Sequence, residues 1–260
     1  MSSTFLAGLG ALCVLQVLLW LVQRRTRNAG WVDVGWALGL AIMALLAAGL
    51  GPAPAARRWL VGIAGGLHGL RLAWHLGHRV ATDPAEDGRY ADLRRSWKTA
   101  LDAKFFLFFQ AQALLGALLG LPFLLAAWNP APGLHPLELA GAALWVVAWV
   151  GESLADRQLK RFKARPQARG LACREGLWRW SRHPNYFFEW LAWVAFLLLA
   201  LPAPWGWAAL PIPLLMLYFL LRVTGIPATE AQALRSRPED YPRYQRETSA
   251  FVPWFPREPV

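Results

Sequence analysis

Three sets of polar residues in this 260-residue chain are spaced so that a helix would carry each set on one side. In the stretch SRHPNYFFEW, Asn185 and Glu189 stand at i and i+4 directly after Arg182, His183 and Pro184. His68, Arg71, His75 and His78 follow one another at intervals of three, four and three, and Glu152, Asp156, Lys160 and Lys163 at four, four and three. Asp33 stands alone in WVDVGW. Arginine and lysine forks neutralise phosphates, whereas an amide and carboxylates bind ribose hydroxyls or an amide. The set suits a phosphate-bearing cofactor. A histidine or a carboxyl held neutral in apolar surroundings can also deliver a proton.

These residues interrupt or flank long apolar runs. The composition is 56% hydrophobic with 16 tryptophans, and only 17% is charged, against roughly 25% in soluble domains. The net charge of +11 does not indicate nucleic acid, because the basic residues are confined to short gaps between apolar runs. Runs over 4–22, 32–50, 59–77, 105–128, 137–154, 186–201 and 205–221 predict an all-α integral membrane protein of seven transmembrane helices in one domain over residues 1–260. The first run lacks a basic flank before it and a small-residue cleavage site after it, so it reads as a retained helix. Of the 27 basic residues only Arg57 and Arg58 fall in a gap assigned outside, which puts the N-terminus outside and the C-terminus in the cytoplasm.

On that topology Asp33, Arg71, His75, Arg79, Glu152, Asp156, Arg182, Asn185 and Glu189 gather in the cytoplasmic half of the bundle, which describes a polar cavity open to the cytosol. Pro184 opens a helix whose free N–H groups and positive dipole end attract an anion, with Arg179 and Arg182 upstream and Ser181 as the cap. Neither HExxH nor CxxC occurs, so no metal site is expected, and no GxSxG elbow supports a serine triad. The glycines of GIAGG at 62–66 lie in an apolar helix and ease packing rather than cradle a phosphate. Cys13 and Cys173 imply no disulfide framework.

The stretches GLWRWSRHPNYFFEW, EDGRY at 86–90, ADRQLKRFK at 155–163 and the tail from GIPATEAQ to FVPWFP resemble the steroid 5α-reductase family and its bacterial relatives. The resemblance implies an inner-membrane enzyme, expected to be monomeric, that takes NADPH from the cytosolic side. Hydride would pass to C5 of a 3-oxo-4-ene steroid or similar enone lipid, with protonation at C4. It implies cofactor contacts at Arg71, Glu152, Asp156, Lys163, Asn185, Glu189, Arg222 and Tyr244, to which the cytoplasmic cluster adds His75, Arg79 and Arg182; Arg174, Tyr186 and Glu230 complete the expected cofactor set. It places Asp33 and His68 where the animal enzymes have a glutamate and its tyrosine proton donor; Glu152 replaces an asparagine and Lys163 an arginine. The Arg-His-Pro-x-Tyr element is shared with integral-membrane methyltransferases, so an S-adenosylmethionine-dependent enzyme acting on lipid or prenyl-cysteine substrates is the alternative.

Overall fold

The computed structural model describes residues 1–83 and 85–257, and all regular structure among them is helical. The α-helices are α1 (Ser2–Thr26), α2 (Trp31–Leu50), α3 (Ala55–Thr82), α4 (Gly88–Ser96), α5 (Leu101–Leu119), α6 (Leu121–Ala127), α7 (Pro136–Lys163), α8 (Pro184–Ala200), α9 (Pro211–Tyr218), α10 (Ile226–Ser236) and α11 (Tyr241–Glu247). Proline opens α7, α8 and α9, where its missing N–H would have no helical partner in any case. Every apolar run of the sequence is helical. Five segments among the described residues are long and apolar enough to cross a membrane: Ser2–Thr26, Trp31–Leu50, Leu101–Ala127, Pro136–Lys163 and Gly206–Ser236.

The other two runs fall short for different reasons. Helix α3 has 28 residues but is loaded with His68, Arg71, His75, His78 and Arg79, and α8 has only 17 residues. Two of the apolar segments are also not uniform α-helix. The fourth run breaks at Gly120 before Pro122, and the last widens to a π-turn over Phe219–Val223, which carries Arg222.

The chain forms two compact units. The first comprises Met1–Leu139 with Leu198–Ala209. Within it a short turn folds α3 back on α2, and the two helices approach closely because glycines face alanines. A Cβ on Gly69 would come within 2.6 Å of the Ala41 nitrogen and 2.7 Å of the Ala37 oxygen, so only glycine fits there. In GIAGG, a Cβ on Gly65 would come within 2.5 Å of the Ala44 Cβ and one on Gly62 within 3.0 Å of the Ala48 Cβ, so that segment serves packing too.

At the start of α3, Arg57 is 1% exposed. Its Nε donates to Glu138 Oε1 at 2.5 Å and Nη2 to Glu138 Oε2 at 3.0 Å. Nη1 donates to the Asn129 and Ala131 carbonyls at 2.9 and 2.7 Å, and Nη2 to Gly133 at 2.6 Å. Glu138, also buried, accepts from the His135 amide at 2.7 Å. One guanidinium thus fills its donor fork with the 129–138 segment. A residue that the charge pattern places in one ordinary gap between apolar runs is the pin of another, the 129–138 segment.

The second unit comprises Ala140–Leu197 and Leu210–Val260. In it α7 and α8 meet where Gly151 leaves room for the ring of Phe188, whose atoms lie 2.5 to 2.6 Å from where a Cβ would stand. Trp190 Nε1 donates to the Pro213 carbonyl at 3.1 Å, tying α8 to the start of α9.

Breaking the Arg57–Glu138 pair leaves a buried, uncompensated charge, so Arg57→Leu is expected to cost about 3–5 kcal/mol. Replacing both, as Arg57→Met with Glu138→Leu, should recover much of that loss. Unfolding of the three proteins in one detergent, followed by tryptophan fluorescence, checks both expectations.

Candidate functional site

The polar residues of the second unit form a ladder between α7 and α8. Glu152 and Asp156 lie one turn apart on α7, and Asn185 and Glu189 one turn apart on α8. Asn185 Nδ2 donates to Asp156 Oδ1 at 3.4 Å, so these faces meet. Carboxylate oxygens of Glu152 and Glu189 come within 4.8 Å of each other, and both residues are buried, 5% and 7% exposed. Trp193, fully buried, donates its indole N–H to Glu189 Oε1 at 2.9 Å and so fixes that carboxylate's rotamer. The Oδ1 atom of Asn185 is buried and accepts no hydrogen bond among the described residues. A buried acceptor left so costs about 1–3 kcal/mol unless a donor reaches it.

Around the start of α8 the chain closes a second network. Arg182 Nε donates to Glu230 Oε1 at 2.7 Å, Nη1 to the carbonyls of Gln245 and Thr248 at 2.9 and 2.5 Å, and its amide to Ser249 at 2.8 Å. Glu230 also accepts from Gln245 at 2.8 Å and Tyr241 at 3.4 Å, and pairs with His183 Nε2 at 3.2 Å. Tyr244 donates to the Trp178 carbonyl. Arg174 pairs with Asp240 at 2.9 Å and covers the Tyr244 ring at 5.1 Å. Tyr186 shares a hydrogen bond of 3.0 Å with Thr229 and stacks on His183.

This changes the reading of the α8 mouth. Arg174, Arg182, Glu230 and Tyr244 are engaged with one another's segments, because a guanidinium only 10% exposed requires a full set of acceptors. Ser181 is not the cap of α8: its hydroxyl donates to Phe251 at 2.8 Å and accepts from the His183 amide at 3.1 Å. Lys163 and Arg222 are exposed.

In the first unit the structure brings Asp33 to two residues that spacing alone did not single out. Its Oδ1 accepts from the Tyr90 hydroxyl at 2.6 Å and its Oδ2 from Arg89 Nη2 at 3.0 Å. Both carboxylate oxygens of Asp33 thus have a partner from the EDGRY segment. Asp87 caps α4 by accepting from the Arg89 amide at 3.0 Å, binds the Arg89 side chain at 3.0 Å, and lies 3.5 Å from Arg79. Glu86 accepts from the Ala29 amide and from Arg94, both at 2.8 Å. The motif EDGRY thus clamps α4 onto the turn that starts α2. An acidic cap before a basic, aromatic helix start was its only local signal.

Burial, and then the neighbouring Asp33 carboxylate, push the Tyr90 phenol well above its ordinary range, so it keeps its proton. Burial of Arg89 opposes its charge, but Tyr90, Asp33 and Asp87 outweigh that and hold it charged. His68 is fully buried, Arg71 half-buried, and His75 and Arg79 exposed.

Helices of this length and apolarity, with buried carboxylates and amides among them, define a helical membrane protein. A family model described as a protein of unknown function, DUF1295, matches residues 19–248, and the chain belongs to that family. No curated protein and no solved structure matches it.

Burial lowers the affinity of His183 for a proton, and its pair with Glu230 only partly offsets this. The unfolded chain therefore binds this proton first as pH falls, so the stability from neutral His183 is complete above about pH 6.5 and is lost below it. His183→Gln is expected to flatten that acid limb, measured as thermal stability from pH 8 to pH 5.

Proposed function

We propose that this protein is an NADPH-dependent reductase of a carbon–carbon double bond conjugated to a carbonyl, in a 3-oxo-4-ene steroid or a similar enone lipid. The reading includes seven membrane-crossing helices with the N-terminus outside and the cofactor site open to the cytoplasm. The observation that carries it is the α7–α8 ladder, where a buried Asn185 Oδ1 without a donor stands beside the close carboxylates of Glu152 and Glu189. Such an acceptor-rich group suits a ligand that brings donors. The carboxamide and ribose hydroxyls of a nicotinamide nucleotide are donors of that kind. The resemblance in SRHPNYFFEW and EDGRY supports the same reading.

NADPH, when bound, supplies the hydride. On this reading Asn185, with Glu152, Asp156 and Glu189, holds and orients the nicotinamide end, and Trp193 keeps Glu189 in place. The latch of Arg174, Arg182, Glu230 and Tyr244 fixes the start of α8 so that Asn185 is presented in one rotamer. Arg71, His75, Arg79, Lys163 and Arg222 would contact the cofactor's phosphates. His68 donates to the substrate carbonyl, on whose oxygen negative charge develops as the hydride arrives. Asp33 is a positioning residue that holds Tyr90 and Arg89.

Purified protein is expected to gain thermal stability with NADPH and none with S-adenosylmethionine. Asn185→Ala should weaken NADPH binding at least about tenfold, about 1.4 kcal/mol. His68→Ala should abolish enone reduction while NADPH still binds. Stabilisation by S-adenosylmethionine alone would replace this reading with the methyltransferase one, and unchanged NADPH affinity in Asn185→Ala would remove the ladder from the cofactor site.

A further inference from the structure

The C-terminal face of the second unit holds an open cavity of about 620 Å³ to which four arginines contribute: Arg174, Arg179, Arg243 and Arg257. Arg174 and Arg243 are partly neutralised, by Asp240 at 2.9 Å and by Glu247 at 2.6 Å. Arg179 and Arg257 have no acidic partner among the described residues, and both are exposed. Against Asp240 and Glu247 the four guanidiniums leave two net positive charges on a concave surface. An anion fits there.

The walls of the cavity identify what kind of anion. Trp180 and Phe255 also line it, their rings meeting edge-on at 5.3 Å. The Trp254 amide donates to the Trp180 carbonyl at 2.9 Å, which lays the tail alongside the approach to α8. Phe255 is 71% exposed and Trp254 67%. Rings so exposed beside arginines are unfavourable in water and favourable at the level of lipid headgroups, where the apolar body meets the acyl chains and the rim stays wet. Trp180 stands four residues before Pro184, the first residue of the apolar helix α8, so chain connectivity sets this face at the edge of the apolar layer.

We propose that this cavity binds the phosphodiester headgroup of an anionic phospholipid, with Trp254 and Phe255 inserted beside it as an interfacial anchor. Arg179 and Arg257 contact the phosphate, while Arg174 and Arg243 add field from behind. The site rests on the membrane character of the chain; it shares Arg174 with the latch of the proposed cofactor site, so its test reads lipid and NADPH separately.

The test uses the full chain in a neutral detergent with phosphatidylglycerol or phosphatidylcholine added, read by thermal stability and by native mass spectrometry. Phosphatidylglycerol is expected to bind at least tenfold tighter than phosphatidylcholine and to raise the unfolding temperature. Arg179→Glu with Arg257→Glu, both exposed positions, should abolish that preference without changing the lipid-free unfolding temperature. Trp254→Ser with Phe255→Ser should weaken binding of both lipids. Equal binding of the two lipids by the native protein would overturn the proposal, as would an unchanged preference after charge reversal. Inorganic phosphate or NADPH protecting through the same arginines as well as phosphatidylglycerol does would show a site for a free anion and overturn it too. NADPH stabilisation that survives the charge reversal upholds the separation of the two sites.

Discussion

A charge placed among apolar helices has to find its partners within the chain, and that constraint organises this protein from one end to the other. Water is not there to solvate it, and a guanidinium left unsatisfied is far costlier than a lost contact. Arg57 meets the requirement by gathering Glu138 and the carbonyls of Asn129, Ala131 and Gly133. Arg182 meets it with Glu230 and the carbonyls of Gln245 and Thr248. In both cases the side chain takes its acceptors from outside its own segment, so a distant loop or tail is drawn in and held. Two segments without long regular structure, 129–135 and 248–257, owe their course to this demand.

The same constraint gives meaning to the polar atoms that are not so completely served. On α8, Glu189 is held by Trp193 and Asn185 touches Asp156, yet the Asn185 carbonyl oxygen lacks a donor among the described residues. A protein that surrounds Arg57 with five acceptors and leaves this acceptor open has an arrangement suited to a ligand. The clamp made by Glu86, Asp87, Arg89 and Tyr90 plays a different part. It anchors α4 to the α1–α2 turn and gives both carboxylate oxygens of Asp33 a partner.

Much of the helical framework was legible in the residues. Runs of apolar residues and prolines at helix starts were sufficient for α1, α2, α7 and α8, because helix formation depends on neighbours three and four positions away. The facing of Glu152 with Asp156, and of Asn185 with Glu189, follows from the same local period. Less legible were the break at Gly120 and the π-turn at Phe219–Val223, since both depend on how a helix is packed and not on its periodicity. Arg182 illustrates the limit within the site. As a cation before a helix it reads as an anion ligand, but its acid partner is 48 residues away and its carbonyl partners are farther still.

Sequence by itself determined that this chain is helical and apolar, which residues share a helix face, and that its carboxylates and amides lie inside helices where they need a reason. Only the tertiary structure decided which of those groups satisfy each other. It paired Arg57 with Glu138, Arg182 with Glu230 and Tyr90 with Asp33, and it left the Asn185 oxygen without a donor among the described residues. The physical reason is range: helix periodicity is set by hydrogen bonds four residues long, whereas a buried charge accepts any partner that packing brings within 3 Å, however far along the chain it lies.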